Sequence, residues 1–297
     1  MISTLFTAIA EWVYGQGQTS SAFNQKRRIE SFAAPPTVEA LEERCLPSDP
    51  SIVPPLSEIP PLIAVMDIGF ASQTKGNPTV AFVGDSISWQ FAYGSGVSVW
   101  ATYMAPLGMA NYGVPGQTTE SLLFQLTQGQ LIGINPAVIV LDIGGNNLLQ
   151  GDSPAATAAG VITDVSLIQL FQPQAQILLL GVLPGMQYPN NPYRSEGAQT
   201  NQLVSQMLSS DPHAAFLDFG SIFLQPDGTI STSMMFDYIH PTAQGYTDLT
   251  NALLPVIEHY LFPSLFPNLA LPTVSVPAVS VSVPASPPPS PLPITGS

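Results

Sequence analysis

Ser86, Asp237 and His240 are residues whose types and spacing can do covalent chemistry. Ser86 closes Gly84-Asp85-Ser86, a turn that directly follows the apolar run Val80-Ala81-Phe82-Val83. A serine at the carboxyl end of a buried strand can act as a nucleophile; it can equally cap the next helix. Asp237 and His240 stand three residues apart in Asp237-Tyr238-Ile239-His240-Pro241. That spacing lets the carboxylate hold one ring nitrogen and leaves the other as a base. A surface turn with a helix-initiating Pro241 explains the same residues. Two further loops carry suitable groups. Gly113-Val114-Pro115-Gly116 offers backbone N–H groups at a close turn, and Gly144-Gly145-Asn146-Asn147 offers a side-chain amide. The first suggests positive φ or close backbone approach, or merely a loop entering the next helix; the second can aim its side-chain N–H at an oxyanion or simply form a turn.

These residues need a scaffold, and the pattern around them is regular. Apolar runs at 80–83, 109–112, 137–143, 176–182 and 214–218 read as strands. Helical stretches are expected from Ser86 to Tyr103 and over 118–128, 153–171, 193–209 and 242–260. Residues 144–150 read as a loop. The alternation predicts an α/β fold: a five-stranded parallel sheet between two layers of helices, in the flavodoxin-like three-layer α/β/α arrangement. The Gly-x-Ser-x-Gly elbow that would place a nucleophile on another α/β fold is missing.

Taken together, Gly84-Asp85-Ser86, Gly113-x-x-Gly116, Gly145-Asn146 and Asp237-x-x-His240 follow one another in the order of the four blocks of the GDSL/SGNH hydrolase superfamily, which the chain resembles. The resemblance is closest to the catalytic subunits of brain-type intracellular platelet-activating-factor acetylhydrolase. It runs through ANYGVPGQTTESLLFQLTQGQL, LLLGVLPGMQYPN and PDGTISTSMMFDYIHPTAQGY and covers roughly residues 80–261. It implies Ser86 as nucleophile, His240 as general base and Asp237 as its orienting acid. It also implies an oxyanion hole made by the N–H groups of Ser86 and Gly116 and the Asn146 side chain. Pro115-Gly116-Gln117 stands where many members have Gly-Gly-Asp, so a hydrogen bond from that acid is in question.

The implied activity is a serine esterase on short-acyl esters, acetyl above all, acting through an acyl-serine. An extracellular carbohydrate O-deacetylase and a catalytically silent polysaccharide-binding member of the fold are the alternatives. Leu148, Leu149, Leu183 and Met186 are the apolar side chains expected to wall a small acyl pocket. The resembled subunits pair, which leaves a homodimer open for this chain.

Composition narrows the partners. The net charge of −14 on 297 residues, with only 9% charged residues, argues against nucleic acid, which needs phosphates neutralised. Between Lys75 and Tyr260, twelve Asp and Glu face only Lys75 and Arg194, which also disfavours an anionic membrane surface. His213, His240 and His259 show no metal-ligand spacing, so neither cofactor nor metal is expected. Cys45 is the single cysteine, so no intrachain disulfide can form. No uninterrupted apolar run reaches membrane-spanning length.

Four segments are expected: a leader over 1–48, a proline-rich linker over 49–75, the hydrolase domain over 76–261, and a Pro/Ser/Val-rich disordered tail over 262–297. The leader places its basic cluster Lys26-Arg27-Arg28 after its apolar stretch, the reverse of a secretory signal. Residues 38–48 resemble a short tag near the N-terminus of exported proteins of one bacterial lineage; a single amphipathic turn explains them as well. Export to a bacterial surface and a cytoplasmic location both stay open. Leu292-Pro293-Ile294-Thr295-Gly296 is similar to a sortase signal but lacks the apolar and basic residues that should follow it.

Overall fold

A computed structural model of the chain describes residues 77–264. The expected leader, linker, export tag and terminal LPITG motif lie outside the described residues.

Short apolar runs with no polar alternation can only be strands that are covered on both faces. β1 (Val80–Gly84) and β3 (Val138–Asp142) are buried at every residue. β2 (Met109–Gly113), β4 (Gln176–Leu180) and β5 (Ala214–Leu217) complete a parallel sheet in the order β2-β1-β3-β4-β5. Because side chains alternate across a sheet, the buried residues divide into two cores. Val80, Phe82, Val138, Val140, Leu178 and Leu180 pack with Phe91 and Trp100 and with Tyr246 and Leu253 of the last helix. Ala81, Val83, Ile139, Leu141, Ile177 and Leu179 face the other way, onto Leu122, Ile162, Val165 and Val204. Each such aliphatic side chain contributes about 1.5–3 kcal/mol on burial, which makes the sheet a rigid support.

Among the described residues, six helices of more than one turn surround it: α1 (Ser86–Tyr93), α2 (Thr119–Thr127), α3 (Gly145–Gln150), α4 (Pro154–Phe171), α5 (Pro192–Met207) and α6 (Ala243–Leu261). Side-chain caps set several starts. Thr118 accepts from the N–H of Ser121, Ser153 from Ala156 and Thr242 from Gly245. α4, although interrupted by Asp164 and other polar residues, has the length and mean hydropathy of a membrane span, yet half of it is buried inside the protein. It packs on α2 and α5 and is read as a core helix.

Two local expectations are corrected. The helix from Ser86 does not run unbroken to Tyr103. It ends at Tyr93, and the chain resumes over 97–107 as short α, π and 3-10 turns. At Gly96 a Cβ would lie 2.7 Å from Tyr246 Cδ2 and 2.8 Å from Phe91 Cα, so the chain closes tightly over that stacked pair. Residues 145–150, expected as a loop, form α3. Left-handed glycines delimit it, Gly144 at φ 110° and Gly151 at φ 97°.

The topology locates the functional edge. Strand order reverses between β1 and β3, the place where open α/β sheets bind ligands beyond the strand ends. Gly84 is in register with Gly113 on one side and Asp142 on the other. The three strands therefore finish level, and their loops emerge together. Gly84 is held there by steric need: a Cβ would sit 2.1 Å from the Asp142 carbonyl oxygen.

Candidate active site

Ser86 is the first residue of α1. Asp85 caps the helix by accepting from the Ile87 N–H at 2.8 Å through Oδ1. First-turn N–H groups have no acceptor within their own helix, so the Ser86 N–H faces the space beyond β1. The Ser86 hydroxyl lies 2.9 Å from His240 Nε2. His240 Nδ1 lies 2.7 Å from Asp237 Oδ2. With Nδ1–H donated to the carboxylate, Nε2 is left to accept from the serine.

The turn carrying these two residues is tightly organised. Asp237 Oδ1 accepts from the backbone N–H of His240 at 2.7 Å and of Ile239 at 3.1 Å. Tyr238, at φ 65°, reverses the chain, and its carbonyl accepts from the Met186 N–H at 2.8 Å. Burial alone would raise the Asp237 carboxyl, but the hydrogen bonds from the His240 and Ile239 N–H groups and the His240 ring outweigh it and hold it below the usual carboxylate range. Two contacts beside this turn, whose His240 is 154 residues from Ser86, hold it near α1. The Tyr246 hydroxyl donates to the Ile87 carbonyl at 2.6 Å, and the Ser95 hydroxyl donates to the Pro241 carbonyl at 2.7 Å. The exposed Phe236 ring stacks on the His240 imidazole, centroids 5.7 Å apart.

Gly116 sits at φ 77° in the loop after β2, with nothing within 4 Å of where a Cβ would be. Asn146 follows β3 on α3. Ser86, Gly116, Asn146 and His240 line one cavity of about 310 Å³. The Asn146 amide is occupied: Nδ2 donates to the Gln117 carbonyl at 2.9 Å and to Asp85 Oδ2 at 3.2 Å. Gln117 thus holds Asn146 through its backbone. Its own side chain is buried and donates to Gln125 Oε1. Asn147 ties α3 to the start of α2 and to the loop that follows α3, accepting from the Thr119 N–H at 3.0 Å and donating to Asp152 at 2.9 Å.

The expected apolar wall is partly different. Leu149 and Leu183 line the cavity, joined by Ile87, Val182 and Ile239. Leu148 instead packs with Val182 and Tyr193, and Met186 packs against that group.

Three polar residues of the pocket escaped the sequence reading: Asp85, Asp142 and Tyr193. Burial pushes the Asp85 carboxyl up to about 6 despite the Ile87 N–H and the nearby His240. Burial and the neighbouring Asp85 raise Asp142 well above the carboxylate range. The available signal for Asp142 was an ionisable residue inside the apolar run AVIVLDI. For Tyr193 there was none.

Residues 82–247 match the model of the GDSL-like lipase/acylhydrolase family. The chain is similar to the human platelet-activating factor acetylhydrolase IB subunit alpha1, 38% identical over 185 residues that cover 62% of this chain and 78% of that one. The chicken (Gallus gallus) alpha2 subunit is 36% identical over 193 residues, 65% and 82% of the two chains. Among solved structures, a GDSL-like lipase from Bacteroides thetaiotaomicron superposes with a TM-score of 0.52 at 18% identity, over 66% of this chain and 96% of that one, and so shares the fold. With a family match extending from the strand before Ser86 to beyond His240, the chain belongs to the GDSL-like lipase/acylhydrolase family and is an ester hydrolase.

Proposed function

We propose that this protein is a serine esterase that removes short acyl groups, acetyl above all, through an acyl-serine intermediate. The observation that carries the reading is the unbroken relay from the Ser86 hydroxyl to His240 Nε2 and from Nδ1 to Asp237, opening into a small cavity. The Ser86 oxygen attacks the ester carbonyl as its proton passes to His240 Nε2. Asp237 holds the ring and stabilises the imidazolium. Negative charge collects on the former carbonyl oxygen, within reach of the Ser86 and Gly116 N–H groups and the Asn146 amide. Asn146 releases its longer bond, to Asp85, in order to donate there. Each such preorganised donor is worth about 3–4 kcal/mol of transition-state stabilisation. Collapse expels the alcohol, which takes the proton from His240. Water then attacks the acyl-serine by the same route, returning a carboxylic acid and free Ser86.

Acyl length follows from the cavity. At about 310 Å³ it lies at the lower end for ligand pockets. A longer acyl chain gains about 0.8 kcal/mol per methylene only where an apolar groove receives it. The similar subunits are named acetylhydrolases, which supports the same preference. We expect kcat/KM to fall from p-nitrophenyl acetate through butyrate to octanoate, and a fluorophosphonate to add once, at Ser86. An optimum at octanoate would make the protein a lipase. Absence of both labelling and turnover would make it a silent binding member of the fold.

A further inference from the structure

The cavity holds two polar side chains that the ester chemistry leaves unused. Asp142 is 6% exposed and Tyr193 8%, and both line the cavity of Ser86. Among the described residues, neither the Asp142 carboxyl nor the Tyr193 hydroxyl has a hydrogen-bonding partner, and neither belongs to the polar atoms sealed from solvent. Asp142 is the last residue of β3, and its carbonyl accepts from the Asp85 N–H at 3.1 Å. Its side chain is therefore beside the turn that presents Ser86. Tyr193 reaches the same place from α5. A Cβ on Gly145 would lie 3.1 Å from the Tyr193 hydroxyl and 3.7 Å from Asp85 Oδ2, so the missing side chain at Gly145 leaves the cavity open toward both.

Both groups lack a protein partner yet open onto the cavity, so water serves them until a ligand offers the same hydrogen bonds in its place, and two such groups side by side in one cavity suit a ligand that can pair with both. Their chemistry selects the ligand. Burial favours the protonated forms of Asp142 and Tyr193, and it also pushes the neighbouring Asp85 up, to about 6. A neutral carboxyl and a phenol each offer one donor and an acceptor. A hydroxyl group complements such a pair, since it also donates and accepts without charge. A ligand carboxylate would meet the Asp85 charge, and an ammonium has no acceptor for the two O–H donors.

We infer that Asp142 and Tyr193 form a polar subsite that binds a hydroxyl group carried by the ester substrate close to its scissile carbonyl. This rests on the esterase reading above. The hydroxyl can sit on the acyl half, as in a hydroxy-acid ester, or on the alcohol half, as in a partly acylated polyol or sugar. Alkyl esters of equal size leave both groups unpaired and are rejected.

The test uses two isosteric pairs, with kcat/KM divided by the alkaline hydrolysis rate of each ester to remove intrinsic reactivity. Methyl glycolate against methyl propionate probes the acyl half, and 2-hydroxyethyl acetate against propyl acetate the alcohol half. A preference of tenfold or more for the hydroxylated member of one pair is expected. Tyr193→Phe, which removes one oxygen and keeps the shape, and Asp142→Leu should each bring that ratio near one. Asp142→Asn, which still donates and accepts, should retain it. Hydrolysis of p-nitrophenyl acetate with ratios near one in both pairs overturns the subsite alone. So does a preference that survives both Tyr193→Phe and Asp142→Leu, or faster cleavage of 2-aminoethyl acetate than of its hydroxyethyl analogue. No hydrolysis of any of these esters overturns the esterase reading and the subsite together.

Discussion

The lip and the floor of the Ser86 cavity obey opposite rules. At the lip, the Asp237 side chain is 43% exposed and that of His240 22%, yet each is paired: serine to imidazole, imidazole to carboxylate, carboxylate to backbone. At the floor, Asp142 and Tyr193 are more than nine-tenths buried, and neither the Asp142 carboxyl nor the Tyr193 hydroxyl has a hydrogen-bonding partner among the described residues. The lip groups could have relied on water and are instead paired within the protein; the floor groups are left to whatever enters the cavity. Pairing at the lip fixes geometry ahead of reaction, as a relay requires. The open valences of the floor suit a site whose partner arrives with the substrate. Asp85 joins the two regions, with Oδ1 capping the helix of Ser86 and Oδ2 holding Asn146.

The largest expected effect breaks the lip. Ser86→Ala should lower kcat by about 10⁴-fold or more while Tm stays within a few degrees, since the hydroxyl is at a cavity edge. Retention of more than a few per cent of activity in a clean preparation would remove Ser86 from the mechanism.

Next comes the donor between lip and floor. Asn146→Ala should cost about 10²–10³-fold in kcat with a much smaller change in KM, as for a group that acts mainly in the transition state. Equal losses in binding and turnover would show that it positions substrate instead.

A smaller effect sharpens the boundary. Gly145→Ala places a methyl 3.1 Å from the Tyr193 hydroxyl and narrows the way to the floor. A several-fold drop in kcat/KM is expected, larger for p-nitrophenyl butyrate than for acetate. Equal drops for the two esters would mean that the acyl group does not pass Gly145.

The smallest effect is on stability and concerns the floor alone. Asp85 and Asp142 bind protons more tightly folded than unfolded, because burial disfavours their charge. Stability from such groups is complete below the ordinary carboxylate pKa and is lost as pH rises through their raised values. Asp237 has the opposite sign, but its contribution is already in place above pH 4. Tm should therefore fall by several degrees between pH 4 and pH 8. Asp142→Asn should be more stable than the parent at pH 8 and show a flatter profile. The buried Asp164, also raised by burial, keeps some slope in the variant. A parent Tm that rises steadily to pH 8 would show that the floor carboxyls are not held protonated.

Much of this was legible beforehand for a local reason. Val80-Ala81-Phe82-Val83 is a continuous apolar run bounded by turn residues and its four counterparts are mostly apolar, so existence and order of the strands follow from burial. Thr118, Ser153 and Thr242 announce helix starts by a hydrogen bond to the next turn. Where reading failed, the deciding contact was distant. Gly94 and Gly96 look like weak points in a helix; it is Tyr246 of α6, packed over Phe91, that makes them a break. Asn146 and Asn147 look alike in sequence, yet Asn146 faces the cavity while Asn147 is buried between α2 and α3.

The sequence by itself determined the alternation of strands and helices, the residue types at the strand ends, and the three-residue spacing that lets Asp237 pair with His240 within one turn. These depend on neighbours a few residues apart. Only the tertiary structure decided that His240 reaches Ser86 across 154 residues, that Asn146 spends its amide on Asp85 and Gln117, and that Asp142 and Tyr193 meet without partners. Register and strand order set which chain ends lie side by side, and burial is a property of everything that packs around a group. Neither is written in the few residues that flank it.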